Sequence, residues 1–160
     1  HLDDVRIFVP KRQLSVRRLG KVLRQTLPIF PGYIFVESED ILLDLDTYWT
    51  LRKTAGFIRF LRDNISPTPL SEGERNLIRH FMSFGECADT SKVTFDEDDR
   101  IVVLEGPLKG LEGKIVKVNR RKGRAKVALD LCETGFLIDL GFEAVERVKA
   151  KGGDSHEDER

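Results

Sequence analysis

The sequence predicts an α+β chain of two modules: an antiparallel sheet with flanking helices over residues 1–85, then a small five-stranded β-barrel over 94–149. Three observations predict it. Two branched runs, Ile101–Leu104 and Ile115–Val118, are joined by glycines at 106, 110 and 113, and glycine permits the sharp reversals that paired strands need. Two later runs, Ala125-Val127-Leu129-Leu131 and Phe136-Ile138-Leu140-Phe142, repeat an apolar residue at every second position, the period of a half-buried strand. Helical spacing, by contrast, is confined to the first half, where Leu77, Ile78, Phe81 and Met82 share one face.

Val5–Val9 alternates as a short strand that stops at Pro10, which has no N–H to give to a ladder. Lys11–Thr26 is basic and weakly periodic, and reads as a long hairpin arm or a partly ordered loop. Ile29-Phe30-Pro31-Gly32-Tyr33 is a turn feeding the apolar strand Ile34–Val36. Leu42–Arg52 predicts a short amphipathic helix, because Leu42, Leu45 and Trp49 fall at spacings of three and four. Phe57–Leu61 predicts a short strand. Ser71-Glu72-Gly73-Glu74 is a capping box that opens a helix to about Phe84, where Gly85 stops it. Residues 86–93 are small, polar and unpatterned, which predicts a flexible linker between the modules. The barrel closes with Leu137–Val148, and residues 150–160, rich in glycine and acid, predict a disordered tail. Ile115–Val118 and Ala125–Leu131 are branched or alternating, so the second module is expected to be β-barrel and not helical.

With 40% hydrophobic residues the chain can bury a core, and no apolar run approaches the roughly 18 residues of a membrane-spanning helix. His1–Val9 has no apolar stretch of the signal-peptide kind, and the chain starts at His1 instead of methionine, so a preceding N-terminal piece is expected. Cys87 and Cys132 are widely separated and read as free thiols. These features predict a soluble cytoplasmic protein with no membrane partner. Net charge is zero, but it is unevenly distributed: residues 1–36 carry seven bases against two acids, and residues 109–126 carry eight against one. Exposed charge acts over a Debye length of about 8 Å, so each basic stretch can attract phosphate locally.

Catalytic and metal readings find no support. Gly113-Lys114 lacks the first glycine and the Ser/Thr of a phosphate-cradling loop, with Leu108 and Ile115 in those places. Asp96-Glu97-Asp98-Asp99 lacks the spacing and glycine of a calcium loop. His80 falls between core positions on its helix and His156 lies in the tail, so neither forms a Cys–His pair or a zinc cluster with the cysteines. No enzyme, cofactor or metal is expected.

Three stretches resemble one family. Asp99–Val118 with its spaced glycines resembles the KOW motif, a binding element of ribosomal proteins and elongation factors. Phe30-Pro31-Gly32-Tyr33 leading into Ile34-Phe35-Val36, and Trp49–Leu61 with Arg52-Lys53-Thr54-Ala55-Gly56, resemble the N-terminal (NGN) domain of the NusG family of transcription elongation and antitermination factors. The order and spacing hold over nearly the whole chain. The resemblance implies an NGN-like domain followed by an SH3-like barrel. It also implies that the NGN module is incomplete here, since family members open with a strand and helix ahead of anything equivalent to Val5.

Read by their own chemistry, Ile29, Phe30, Pro31, Gly32 and Tyr33 offer either a plain core turn or an exposed aromatic anchor. The resemblance implies the anchor, gripping RNA polymerase together with Trp49. Arg52, Lys53 and Thr54 can cap a helix end, or, as the resemblance implies, face single-stranded non-template DNA. Lys109, Lys117, Arg120, Arg121, Lys122 and Arg124 read as solvated strand faces or as an RNA-binding edge, the latter similar to specialised LoaP-like antiterminators. Leu131-Cys132 stands where ordinary members carry an apolar–Phe pair that docks a ribosomal protein or Rho. The expectation is a monomeric NusG-like factor, not an enzyme, holding polymerase with one module and nascent RNA or a protein with the other. The alternative is a ribosome-associated KOW protein that clamps ribosomal RNA.

Overall fold

A computed structural model describes residues 5–146. The first module has four strands and two helices: β1 (Val5–Phe8), β2 (Lys11–Arg18), β3 (Lys21–Pro28), β4 (Phe35–Ser38), α1 (Leu45–Lys53) and α2 (Glu72–Met82). β5 (Cys87–Ala88) lies between the modules, and the second has β6 (Ser91–Phe95), β7 (Ile101–Glu105), β8 (Ile115–Asn119), β9 (Arg124–Leu131) and β10 (Thr134–Ala144). The 150–160 tail and the end of the expected closing strand lie outside the described residues.

The second module carries the predicted barrel-like strands. Its five-stranded sheet runs in the order β7-β6-β10-β9-β8, curled around Val93, Val103, Leu108, Val127, Leu129 and Leu140. Alternation held because every second residue of β9 points inward; Ala125, Val127, Leu129 and Leu131 are all buried. Gly106 is required at the β7 turn. Its φ is +104°, and a Cβ there would come 2.6 Å from the Ser91 Cα. That close approach lets Ser91 Oγ accept the Leu108 N–H at 2.9 Å.

The first module departs from a single antiparallel sheet. β1 pairs with β4 alone, while β2 and β3 form a long hairpin extended by β5, which runs parallel to β2. The arm Lys11–Thr26 is therefore an ordered hairpin, turned by Leu19 and Gly20 with φ of 51° and 76°. No strand forms over residues 57–61. Phe57 and Tyr48 instead pack on Phe60 at 5.0 and 5.3 Å, and the Asn64 side chain accepts the Phe60 N–H.

α1 starts later than predicted and presents another face. Asp44 caps it, one carboxylate oxygen accepting the Thr47 N–H and the other its hydroxyl, both at 2.8 Å. That cap turns Thr47 inward and leaves Leu42, Leu45 and Trp49 exposed. Asp44→Ala is expected to cost about 1 kcal/mol, measured as a shift in the urea midpoint.

The predicted linker is ordered. Residues 86–93 contain β5 and the start of β6, and Ala88, Ser91 and Val93 are buried. The two modules share one hydrophobic cluster, which joins Ile29, Phe30, Phe35, Ile78 and Phe81 to the barrel interior. They are packed together here.

Candidate functional site

Ile29 and Phe30 do not form an exposed anchor in this arrangement. Both are buried, Phe30 at 1% exposure. The reason is Phe136 of β10, whose ring meets Phe30 at 5.2 Å and Tyr33 at 5.3 Å, edge to face in both cases. Pro31 and Gly32 are exposed, Tyr33 is half-buried, and Ile34 is 67% exposed. A groove lined by Ile7, Phe8, Val9, Ile34 and Met82, together with the charged Lys11 and Glu86, opens beside this corner. The outer side of the corner is open and mostly apolar, while its inner side is core.

Trp49 belongs to a different neighbourhood. Its ring packs on Tyr48 at 5.3 Å, and the Arg52 guanidinium lies over both rings. Arg52 also donates to the Tyr48 hydroxyl at 2.6 Å. Lys53 and Thr54 follow, exposed, at the helix end. This places a half-exposed indole and a stacked guanidinium side by side, with the exposed Lys53 next along the helix.

The barrel set divides. Arg120 pairs with Asp99 at 2.9 Å and stacks over Phe95 at 3.8 Å. Asp99 belongs to the acidic run set aside above as a cation site. That run is folded by Asp96, which accepts the Asp98 and Arg100 N–H groups at 2.9 Å. The Arg100 N–H bond, followed by lesser hydrogen bonds, holds Asp96 below its ordinary pKa. Lys109 reaches the Val103 carbonyl at 3.3 Å. Arg124 donates to the Ser15 carbonyl of β2 at 3.1 Å and sits 4.0 Å from Asp139. Arg121, Lys122 and Lys117 are exposed and pair with no acid among the described residues. Leu131 is buried, so it is not a contact for an outside partner, and Cys132 is half-buried against α2.

Sequence reading missed the contacts between the modules. Glu74 is their hub. Its carboxylate caps α2 by accepting the Ser71 N–H at 2.8 Å, holds Arg62 at 2.6 Å, and accepts the Cys132 N–H at 2.9 Å. Burial pushes its carboxyl up, but these bonds outweigh burial and hold it below the ordinary range. Burial, reinforced by the Glu74 charge, raises the Cys132 thiol and keeps it protonated. His80 meets the Pro107 carbonyl at 2.6 Å, so its Nε2 carries the proton and donates. The capping box showed Glu74 as an N3 residue, but nothing in its spacing marked the third bond. Among the described residues no three of His, Cys, Asp and Glu converge on a metal position. No helix among the described residues is long and apolar enough to cross a membrane.

Comparison with known proteins follows the same division. Residues 1–79 match the family model described as transcription termination factor nusG, and residues 97–127 match the KOW motif. A protein of Synechocystis named transcription termination/antitermination protein NusG is 26% identical over 155 residues, covering 89% of this chain and 73% of that protein. Proteins of the same name from Bacillus subtilis and Thermus thermophilus are 25% and 27% identical, covering 89% and 90% of this chain and 80% of each relative.

Proposed function

We propose that this chain, whose residues 1–79 match the nusG family model and whose residues 97–127 match the KOW motif, is a transcription termination/antitermination factor that binds RNA polymerase through the outer face of the Tyr33 corner. The observation that carries this reading is the open groove. Ile7 and Ile34 are exposed beside Phe8 and Met82, a surface that an apolar face of a polymerase helix can fill. Ile29 and Phe30 support that surface from beneath. Tyr33 is shared with Phe136, so a partner that draws on Tyr33 competes with the barrel.

The Trp49–Thr54 ledge is read as the contact to single-stranded non-template DNA. The exposed basic residues of the barrel are read as the contact to nascent RNA. Binding is the whole activity, without catalysis, and the work takes place in the cytoplasm with polymerase. Zero net charge and the nusG match over residues 1–79 favour this over the ribosomal alternative.

Ile34→Asp and Ile7→Asp test the groove without touching the core. Each is expected to weaken capture of RNA polymerase about tenfold or more, the loss of one hot-spot contact. Unchanged capture by both variants, at unchanged melting temperature, would reject the groove as the polymerase face.

A further inference from the structure

The β2–β3 hairpin contains six Lys/Arg and no acid, and residues 119–126 contain five and none. In sequence these stretches are about a hundred residues apart; in the fold they meet. A Cβ on Gly141 of β10 would lie 3.3 Å from the Gln13 carbonyl, and Arg124 of β9 donates to the Ser15 carbonyl. Gly141 is the ladder neighbour of Arg124, and Arg124 that of Asn119 on β8. β2 therefore crosses β10, then β9, and heads for the β8–β9 turn. At about 3.3 Å per residue, Arg17 and Arg18 lie roughly 7–10 Å beyond Ser15, on the side of Arg121 and Lys122.

Charge at this junction is not balanced by the protein. Arg24 pairs with Asp89, and Arg124 approaches Asp139. Arg17, Arg18 and Lys21 on the hairpin, like Arg121 and Lys122 on the barrel, are exposed and pair with no carboxylate among the described residues. Among the described residues, the buried side-chain polar atoms left without a partner are Arg12 Nε, Gln13 Oε1 and Arg124 Nε. All three lie on the two segments that form the seam. Docking thus brings the basic hairpin and the basic β8–β9 turn to one seam, where an external polyanion would offset their charge. The hairpin tip adds Leu19, 99% exposed, with Val22 and Leu23 also open, apolar groups that suit ribose and base edges better than an acidic protein surface.

We infer that the β2–β3 hairpin and the β8–β9 turn form one phosphate-binding surface, so that RNA is held across both modules and not by the barrel alone. This rests on the RNA reading above and extends it to Arg17, Arg18 and Lys21. Because Arg124 ties the two halves of the surface together, RNA bound there favours the packed arrangement of the modules.

The test is fluorescence anisotropy of the full chain with a labelled RNA hairpin over a potassium chloride series. Substituting Arg17→Gln, Arg18→Gln and Lys21→Gln together is expected to flatten the log K against log salt slope by about two to three, and Arg121→Gln with Lys122→Gln by about two. The charge-keeping pair Arg18→Lys and Lys21→Arg should retain the slope. If the hairpin triple leaves the slope unchanged while the barrel pair flattens it, the two-module surface is overturned and the barrel's RNA contact stands. If neither variant changes it, both fall. A polyglutamate peptide binding with the same slope would also overturn the inference, by assigning the surface to acidic protein.

Discussion

Replacing Phe30 with alanine is expected to destabilise the folded chain by about 3–5 kcal/mol, the range for truncating a fully buried phenylalanine. The ring is 1% exposed and meets Phe35 at 6.0 Å, Phe81 at 6.2 Å and Phe136 at 5.2 Å. Those three partners sit on β4, α2 and β10, so the cavity opens where both modules converge. Partial collapse would need two elements to shift toward each other, and the edge-to-face geometry with each neighbour is lost as well. Urea unfolding followed by circular dichroism reads the loss directly. A change below about 1 kcal/mol would contradict the burial of this side chain. Reduced polymerase capture by Phe30→Ala would therefore report the loss of the scaffold under the corner. Substitutions at Ile34 and Ile7, whose side chains face outward, separate contact from folding.

How much of this was legible follows from what periodicity can carry. Alternation identifies the face of β9 that is buried, and it placed Val127 and Leu129 correctly. It does not say what covers the rest of a module, so the seam between Phe30 and Phe136 was invisible. Residues 86–93 misled because two of their three buried members, Ala88 and Ser91, are small, and Ser91 is inside where Gly106 approaches it closely. α1 misled for the opposite reason. Three large apolar residues at helical spacing suggested an inward face, but the Asp44–Thr47 cap fixes the rotation of the helix and leaves them out. The capping box at Ser71 was legible because its chemistry is local. The basic stretches were visible as charge, but their convergence depends on β2 crossing the barrel, which no local pattern encodes.

Glu74→Ala is expected to cost about 3 kcal/mol, because one carboxylate joins three parts of the molecule. The side chain is 13% exposed and holds Arg62, the first turn of α2 and the Cys132 amide of the β9–β10 turn. Removing it leaves a half-buried guanidinium and two N–H groups without their acceptor, and a charged hydrogen bond with its partner left behind is worth about 1.5–3 kcal/mol. The contribution also depends on pH in a defined direction. The folded carboxyl is held below its ordinary value of 4.5, so the stabilisation is complete above that pH and is lost as pH falls through the folded value. Urea midpoints of the wild type and of Glu74→Gln should differ at neutral pH and converge in acid. A difference that stays constant down to about pH 2 would show that the charge of Glu74 contributes nothing. Since the Cys132 bond lies on the seam, Glu74→Gln should also loosen barrel docking, seen as faster hydrogen exchange of the Cys132 amide. The same carboxylate would then bear on how readily Phe136 leaves Tyr33, linking an acid-sensitive contact inside the chain to the face proposed for polymerase.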